Sequence, residues 1–308
     1  MTVIAVDALC KSYRDTEVLR DISFEVERGE IFGILGPNGA GKTTTVECLS
    51  GLRVPDSGSV DVLGLDPRKD RARLRQVLGV QLQNGMLPDG LQVVEAVELY
   101  RSFYRTGADP GELISGLGLT EKRKTRISDL SGGQFQRLAI ALALVGRPRI
   151  AILDELTTGL DPQARRDTWR FIENMRDSGV TVILVTHFLE EAQRLCDRVA
   201  VIDKGRIAAL DSPLDLIKKA GGEPRVTFRT ERPFDTTALR SADGVTSVKT
   251  HGTQNPETVV TGSGNLLLTV TTVLAAQGIA PLETQVQAAS LDDAYFALIG
   301  HDAKELPA

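Results

Sequence analysis

Several features are scarce in this sequence, and each absence argues against a class of protein. The 308-residue chain has 3 cysteines, Cys10, Cys48 and Cys196, whose odd number and wide spacing fit neither a disulfide framework nor a zinc site. We therefore expect it to work in a reducing compartment. Aromatic residues make up 5% of the chain, with a single tryptophan, which disfavours a stacking platform for single-stranded nucleic acid.

Long apolar runs and an excess of basic charge are also missing. The longest apolar run, at 138–146, has about half of the roughly 20 residues that a membrane-spanning helix needs. The first residues include Asp7 and show no signal-peptide pattern. The net charge is −5, and residues 223–308 carry 6 basic against 10 acidic side chains. We predict no nucleic-acid partner, because such a partner favours a basic surface.

What the first part of the chain does contain is an alternation of apolar strands with helices. Strands are predicted at 31–35, 150–154, 180–186 and 198–203, with helices between them. This order predicts a mainly parallel sheet with helices on both faces, an α/β fold. The nearly unbroken apolar character of 31–35 indicates a strand that is buried on both faces.

The chain beyond residue 222 follows a different pattern. The segment at 220–224, Ala-Gly-Gly-Glu-Pro, predicts a linker. The residues after it predict the order βαββαβ, a ferredoxin-like α+β arrangement. A last helix should begin after Ser290, because Ser290 and Asp293 have the spacing of a capping box. We therefore predict two domains, 1–222 and 223–308.

A glycine-rich loop follows the predicted strand 31–35 and leads into a helix. It fits the pattern G-x-x-x-x-G-K-[ST], in which glycines let several backbone N–H groups approach a phosphate. Lys42 is predicted to reach the β- and γ-phosphates, and the Thr43 hydroxyl to bind Mg²⁺. This loop does not distinguish a kinase, a GTPase and an ATPase. The predicted nucleotide-binding residues are Gly36, Pro37, Asn38, Gly39, Ala40, Gly41, Lys42, Thr43 and Thr44.

A second anion-binding pattern makes that distinction. Leu130-Ser131-Gly132-Gly133-Gln134 stands at the start of a predicted helix, whose N-terminus suits a phosphate. Ser131 is also a plausible helix cap, but two glycines after a cap favour a helix poorly and need another reason. This segment resembles the signature of the ABC ATPase family, and the resemblance covers about 1–220. In that family the signature contacts ATP held by the other cassette of a head-to-tail dimer.

The resemblance implies roles for residues at the ends of the predicted strands. Asp154 matches the aspartate that holds Mg²⁺, and Glu155 the general base that polarises the attacking water. His187 resembles the switch histidine that contacts the γ-phosphate. Either carboxylate could instead be a solvated loop residue, and a lone histidine at a strand end is usually structural.

Three further positions resemble family residues. Gln83 resembles the glutamine that touches Mg²⁺ and the water, with Gln81 as a rival at similar spacing. Tyr13 resembles the aromatic that stacks on adenine, although a strand tyrosine can also simply pack. Asp161 matches the D-loop, which crosses between the two cassettes.

Two positions depart from the family pattern. Leu156 stands where the family usually has proline, so the loop toward Asp161 is expected to be less rigid. Phe135 stands where polar or basic residues are common, and it is expected to pack against a neighbour or a partner. Because neither removes a catalytic group, we expect a competent ATPase.

The resemblance also implies an architecture and a setting. The expected fold is an α/β P-loop cassette with a mainly parallel sheet, an antiparallel β subdomain and a helical subdomain at about 84–130. One cassette with a short tail resembles the separate ATP-binding subunit of a bacterial exporter of the drug-resistance type. The resemblance implies ATP and Mg²⁺ as cofactors, a second copy of the chain and membrane permease subunits as partners, and a place at the cytoplasmic face of the membrane.

Other functions compete with export. An importer ATPase has the same motifs, although sugar-importer ATPases carry a longer regulatory tail. A non-transport ABC ATPase is a second alternative, but translation-factor members carry two cassettes and DNA-repair members carry coiled coils or zinc modules. A P-loop kinase or GTPase would not explain the signature.

Overall fold

The computed structural model describes residues 1–81, 87–252 and 256–299. The chain divides into two compact units, Met1–Pro213 and Leu214–Ala308. Within the described residues, no helix combines the length and the apolar character needed to cross a bilayer. The predicted domain boundary after residue 222 stays a prediction.

The first unit alternates strands and helices, as predicted. Its strands are β1 (Thr2–Tyr13), β2 (Thr16–Glu27), β3 (Ile31–Leu35), β4 (Ser57–Val62), β5 (Leu78–Gln81), β6 (Ile150–Asp154), β7 (Thr181–Val185), β8 (Arg198–Asp203) and β9 (Arg206–Asp211). Its helices are α1 (Lys42–Leu49), α2 (Arg71–Leu74), α3 (Val93–Ser102), α4 (Pro110–Gly116), α5 (Gly132–Leu144), α6 (Pro162–Asp177) and α7 (Leu189–Leu195), and α8 (Pro213–Lys219) follows at the boundary of the units.

A mainly parallel sheet forms the centre of this unit. Its described strands have the order β5-β6-β7-β3-β8-β9, and β9 alone pairs antiparallel to its neighbour. Every residue of β3, β6 and β7 is buried, because both faces of the sheet are covered. The α/β fold predicted from the sequence is therefore confirmed.

A smaller antiparallel sheet, in the order β2-β1-β4, shares a core with the parallel sheet. Leu9 and Ile22 from the antiparallel sheet belong to the same buried cluster as Ile152 and Ile183. The rings of Phe24 and Phe32 stack across the two sheets with their centroids 5.2 Å apart. This shared core fixes the position of β1 relative to the loop that follows β3.

Helices α3 and α4 lie in the region predicted as a helical subdomain, about 84–130, together with 3-10 turns at Thr120–Lys122 and Ile127–Asp129, and α5 follows this region. Helix α4 begins after Asp109, which caps it by accepting a hydrogen bond from the N–H of Glu112 at 2.9 Å. The sequence also predicts a charged helix near 67–76, and the structure forms only a single turn there, α2. The reason is that Asp66 accepts a hydrogen bond from the N–H of Arg68, which holds the preceding residues in a turn.

The second unit has the predicted element order βαββαβ, followed by a last helix. Its strands pair antiparallel in the order β11-β12-β10-β13. The predicted capping box is confirmed, since the N–H of Ser290 donates to Asp293 Oδ2 at 3.3 Å and the N–H of Asp293 donates to Ser290 Oγ at 3.4 Å. The elements are β10 (Arg225–Thr230), α9 (Thr237–Arg240), β11 (Val245–His251), β12 (Glu257–Gly262), α10 (Leu266–Ala276), β13 (Pro281–Gln287) and α11 (Leu291–Ile299).

The second unit has a core of its own, in which Phe228 is fully buried. We expect Phe228→Ala to destabilise this unit by about 3–5 kcal/mol, because it leaves a cavity. Urea unfolding followed by far-UV circular dichroism should show the loss, whereas emission from Trp169 in the first unit should unfold at an unchanged urea concentration. Thr227→Ala, on the other face of the same strand, is the control and should cost less than about 1 kcal/mol. Equal shifts of both probes in Phe228→Ala would contradict independent cores.

Candidate active site

The predicted site segments leave neighbouring strands at one edge of the parallel sheet. Strand β7 lies between β3 and β6, and Val185 is in register with both Ile34 and Asp154. The glycine-rich loop follows β3, Asp154 ends β6, and His187 comes directly after Thr186 beyond β7. The carboxyl ends of parallel strands are where ligands bind in α/β sheets.

Two glycines of the loop are required by close backbone contacts. A Cβ atom at Gly36 would lie 2.2 Å from the carbonyl oxygen of Ile202 at the end of β8. At Gly41, φ is 109° and a Cβ atom would lie 2.6 Å from Leu19 Cδ2. The loop is tightened further because the N–H of Ala40 donates to the oxygen of Pro37 at 3.2 Å.

The lysine of the loop is buried within it. Lys42 is 6% exposed, and its Nζ donates hydrogen bonds to the oxygens of Gly36 at 2.8 Å and Pro37 at 3.1 Å. Burial lowers the pKa of Lys42, and the nearby carboxylates of Glu155 and Asp154 raise it. The ammonium group therefore lies within electrostatic reach of both acids.

Helix α1 presents its N-terminus to the same loop. Its first intrahelical bond runs from the N–H of Thr45 to the oxygen of Gly41 at 2.9 Å, so the N–H groups of Lys42, Thr43 and Thr44 precede the helical ladder. No acidic side chain stands in this first turn, which leaves its positive end suited to an anion. Three of the predicted nucleotide-binding residues are exposed, namely Asn38, Gly39 and Thr43. Pro37 and Thr44 are half-buried.

The two acids at the end of β6 differ in their surroundings. Asp154 is 1% exposed, whereas Glu155 begins the loop after the strand. Glu155 has a φ of 51°, a left-handed conformation that is uncommon for residues other than glycine. Its N–H donates to the oxygen of Val185 at 2.8 Å. Backbone strain of this kind persists where the surrounding structure holds it, and it is frequent at functional sites.

The structure brings Glu155 and His187 together. Glu155 Oε1 lies 3.3 Å from His187 Nδ1, and the side chains are 10% and 36% exposed, respectively. The half-exposed imidazole therefore stands between the buried carboxylate and solvent. The predicted general base and switch histidine form one pair, although they are far apart in sequence.

Of the two glutamines predicted near the end of β5, the structure describes only one. Gln83 lies outside the described residues, and its role stays a prediction. The rival, Gln81, has its Oε1 3.1 Å from the N–H of Asp154, from which it accepts a hydrogen bond. Gln81 thus contacts the backbone at the acid that is predicted to hold Mg²⁺.

The signature segment forms the N-terminus of α5. Ser131 Oγ accepts a hydrogen bond from the N–H of Gln134 at 3.4 Å, and Gln134 Oε1 accepts one from the N–H of Ser131 at 3.0 Å. Ser131 and Gly132 are exposed, and Gly133 is half-buried. Sequence analysis missed the role of Gln134 as the partner in this capping box, although the spacing Ser-x-x-Gln was visible.

Tyr13 and Asp161 occupy a strand end and a helix start. The Tyr13 ring, 37% exposed, lies 5.3 Å from the guanidinium carbon of Arg53, which also forms an ion pair with Glu47 of α1.

Asp161 caps α6, because its Oδ1 accepts from the N–H groups of Ala164 and Gln163, each at 2.9 Å. These bonds lower the pKa of Asp161. Helix capping is thus a role of Asp161 that sequence analysis did not identify.

The two departures from the family pattern are accommodated differently. Leu156 is fully buried, so the position usually held by proline is anchored here by apolar packing. The residues after Leu156 form a turn, in which the N–H of Leu160 donates a hydrogen bond to the oxygen of Thr157 at 3.3 Å. Phe135 is half-buried on α5.

The chain is similar to known ATP-binding proteins. The ABC transporter family profile matches residues 19–158. The Nod factor export ATP-binding protein I of Rhizobium etli is 41% identical over 228 residues, 72% of each chain. The linearmycin resistance ATP-binding protein LnrL of Bacillus subtilis is 32% identical over 98% of this chain and 100% of its own length. A solved ATP-binding subunit of an ABC transporter has a TM-score of 0.66 at 27% identity and covers 71% of this chain and 93% of its own.

The protein has the fold of an ABC cassette, and ABC cassettes hydrolyse ATP. The chain belongs to the ABC transporter ATP-binding family and is an ATPase of that family, in which the two relatives above are named for export and for resistance.

Close approach at Gly36 gives a direct test of the loop geometry. We expect Gly36→Ala to weaken ATP binding at least about tenfold, equivalent to 1.4 kcal/mol, because its Cβ atom would displace the loop from Ile202. Equilibrium binding of a fluorescent ATP analogue measures the change. Gly29→Asn is the control, because this position before β3 lies outside the loop and has open space and a φ of 78°, which asparagine tolerates. An unchanged affinity in Gly36→Ala would contradict the described contact.

Proposed function

We propose that this chain hydrolyses MgATP at two composite sites of a head-to-tail pair and so drives export through a separate membrane permease. The single observation that carries the proposal is the 3.3 Å approach of Glu155 to His187, beside the buried Lys42. It supports a site built for hydrolysis, because nucleotide binding alone would need neither the acid nor the imidazole.

The glycine-rich loop binds the phosphates. Lys42 provides a buried positive charge, and the N–H groups at the start of α1 provide donors in the low-dielectric interior of the loop. Tyr13 stacks on adenine through the exposed part of its ring. This arrangement neutralises the phosphates without requiring the excess of basic charge that the chain lacks.

The oxygen groups at the site suit Mg²⁺. Asp154 offers a carboxylate and Thr43 an exposed hydroxyl, both ligand types that this ion prefers. Among the described residues, no cluster of three His, Cys, Asp or Glu side chains could hold a metal. Asp154, Thr43 and the predicted Gln83 would therefore hold Mg²⁺ together with the nucleotide phosphates, and the ion would neutralise charge on the leaving phosphate.

Glu155 acts as the general base. Its largely buried carboxylate accepts a proton from the attacking water, while His187 orients the γ-phosphate end of the nucleotide. Because the two side chains are in contact, the group that accepts the proton and the group that recognises the phosphate lie side by side. Strain at Glu155 keeps its carboxylate directed into the site instead of into the following loop.

The signature segment serves the site of the second copy. The exposed Ser131 hydroxyl and the N–H groups of Gly132 and Gly133 stand at the start of α5, a 13-residue helix whose N-terminus favours an anion. The capping box with Gln134 holds this turn ready for the γ-phosphate. Asp161 lies on the D-loop that would cross between the copies.

Permease contact is proposed for the exposed end of α3. Leu99 and Phe103 follow one another at the i, i+4 spacing of one helix face and are 41% and 61% exposed. Gln76 joins this end to the segment after α2, since its Nε2 donates to the oxygen of Phe103 at 3.4 Å. The chain would then act at the cytoplasmic face of the membrane. Its similarity to Nod factor export and linearmycin resistance proteins supports export of a lipid-like or antibiotic cargo.

Glu155→Gln and Lys42→Ala separate hydrolysis from binding. Glu155→Gln should lower kcat about 10²–10⁴-fold, the usual contribution of a general base, while ATP still assembles a stable dimer. Lys42→Ala should lose ATP binding and the dimer as well. Phosphate release and light scattering with and without MgATP measure the two effects. A wild-type rate in Glu155→Gln would show that the general base is wrong.

Phe103→Asp tests the permease surface. We expect this substitution to abolish co-purification of a multi-span membrane protein with the tagged chain from detergent-solubilised membranes, while ATP turnover of the purified protein stays the same. The control is Leu268→Asp, which alters an equally exposed side chain of the second unit, 59% against 61% exposed. Equal recovery of the membrane protein with both variants would contradict this surface.

A further inference from the structure

A carboxylate that the proposed reaction does not use is buried next to the site. Glu191 on α7 is 0% exposed, and its Oε1 accepts a hydrogen bond from Trp169 Nε1 at 2.9 Å. Trp169 lies on α6 and is 4% exposed. A buried charge is costly unless polar partners surround it, so an apolar side chain would fill this position at lower cost if packing were its only role.

Groups near Glu191 also come from the two segments that carry the proposed catalytic pair. Burial raises the pKa of Glu191, whereas the hydroxyls of Thr186 and Thr157 and the Trp169 indole lower it. Thr186 directly precedes His187, and Thr157 follows Glu155 by two positions. Both threonines are also buried, at 1% and 0% exposure.

Further contacts hold these two segments in place. Thr186 Oγ1 accepts a hydrogen bond from the N–H of Phe188 at 3.0 Å, which turns the chain at His187. Arg165 of α6 lies over the Phe188 ring, with its guanidinium carbon 4.6 Å from the centroid, and its charge also favours the Glu191 carboxylate. The bond between Glu191 and Trp169 thus joins α7, which follows His187, to α6, which follows the segment that begins at Glu155.

We propose that Glu191 is a positioning residue for ATP hydrolysis, which holds α7 against α6 through Trp169 and so fixes the segments before these two helices, where Glu155 and His187 meet at 3.3 Å. The inference rests on the roles proposed above for Glu155 and His187. It predicts that loss of the carboxylate displaces the reacting groups without altering the phosphate loop, which follows a different strand.

The test compares kcat and KM for MgATP in the full-length purified chain. Glu191→Ala should lower kcat about 10–100-fold, because a displacement near 1 Å at a reacting group costs up to about 10²-fold, while KM changes less than about threefold. Glu191→Gln should retain kcat within about threefold, because its amide oxygen still accepts the hydrogen bond from Trp169.

Glu30→Ala is the matched control. Glu30 is also a buried carboxylate, 9% exposed, and it accepts a hydrogen bond from the N–H of Glu27 at 2.7 Å, but it stands before β3, at the opposite end of the sheet from the site. This variant should lose stability and keep both kinetic constants. Far-UV circular dichroism verifies that each variant remains folded.

Trp169→Phe keeps the inference testable if Glu191→Ala does not fold, since it removes only the indole donor. It should lower kcat about three- to tenfold at unchanged KM, as expected for a lost hydrogen bond of about 1 kcal/mol. A wild-type kcat in folded Glu191→Ala or in Trp169→Phe would overturn the inference, as would equal kinetic losses in Glu30→Ala. Hydrolysis by Glu155→Gln at the wild-type rate would instead overturn the proposed function.

Discussion

Parallel hydrogen bonding between β6, β7 and β3 is the constraint on which the site depends. It brings residues from three distant parts of the sequence to one edge of the sheet, with Val185 in register between Ile34 and Asp154. Side-chain chemistry begins only where these strands end, because the strands themselves are buried on both faces. A slip of one residue in either ladder would separate the catalytic acid from the phosphate loop and reverse the faces of the side chains.

Unfavourable local features are concentrated at this edge. They include a buried ammonium group at Lys42, left-handed backbone at Glu155 and a fully buried carboxylate at Glu191. Each would destabilise an ordinary loop, and here each is held by specific contacts from neighbouring segments. The surrounding apolar core supplies the stability that allows these groups to remain in place.

Much of this arrangement could be predicted from sequence, because several elements are specified locally. The apolar strand 31–35, the glycine-rich loop and the Ser290 cap each depend on residues close together in the chain. The length of α2 could not be predicted as reliably, since Asp66 accepts from the N–H of Arg68 and so holds the residues before α2 in a turn. Burial of Glu191 was not visible either, because Glu190-Glu191 in a short helix is typical of a solvent-exposed face.

The phosphate loop and the signature helix lie on different elements of one chain, after β3 and at the start of α5. In the proposed head-to-tail pair, each chain therefore gives one half to each site. A chain damaged at Lys42 and another damaged at Ser131 are each inactive with themselves. Paired together, they place both defects in a single site and leave the other intact, so two inactive alleles would complement one another in the same cell.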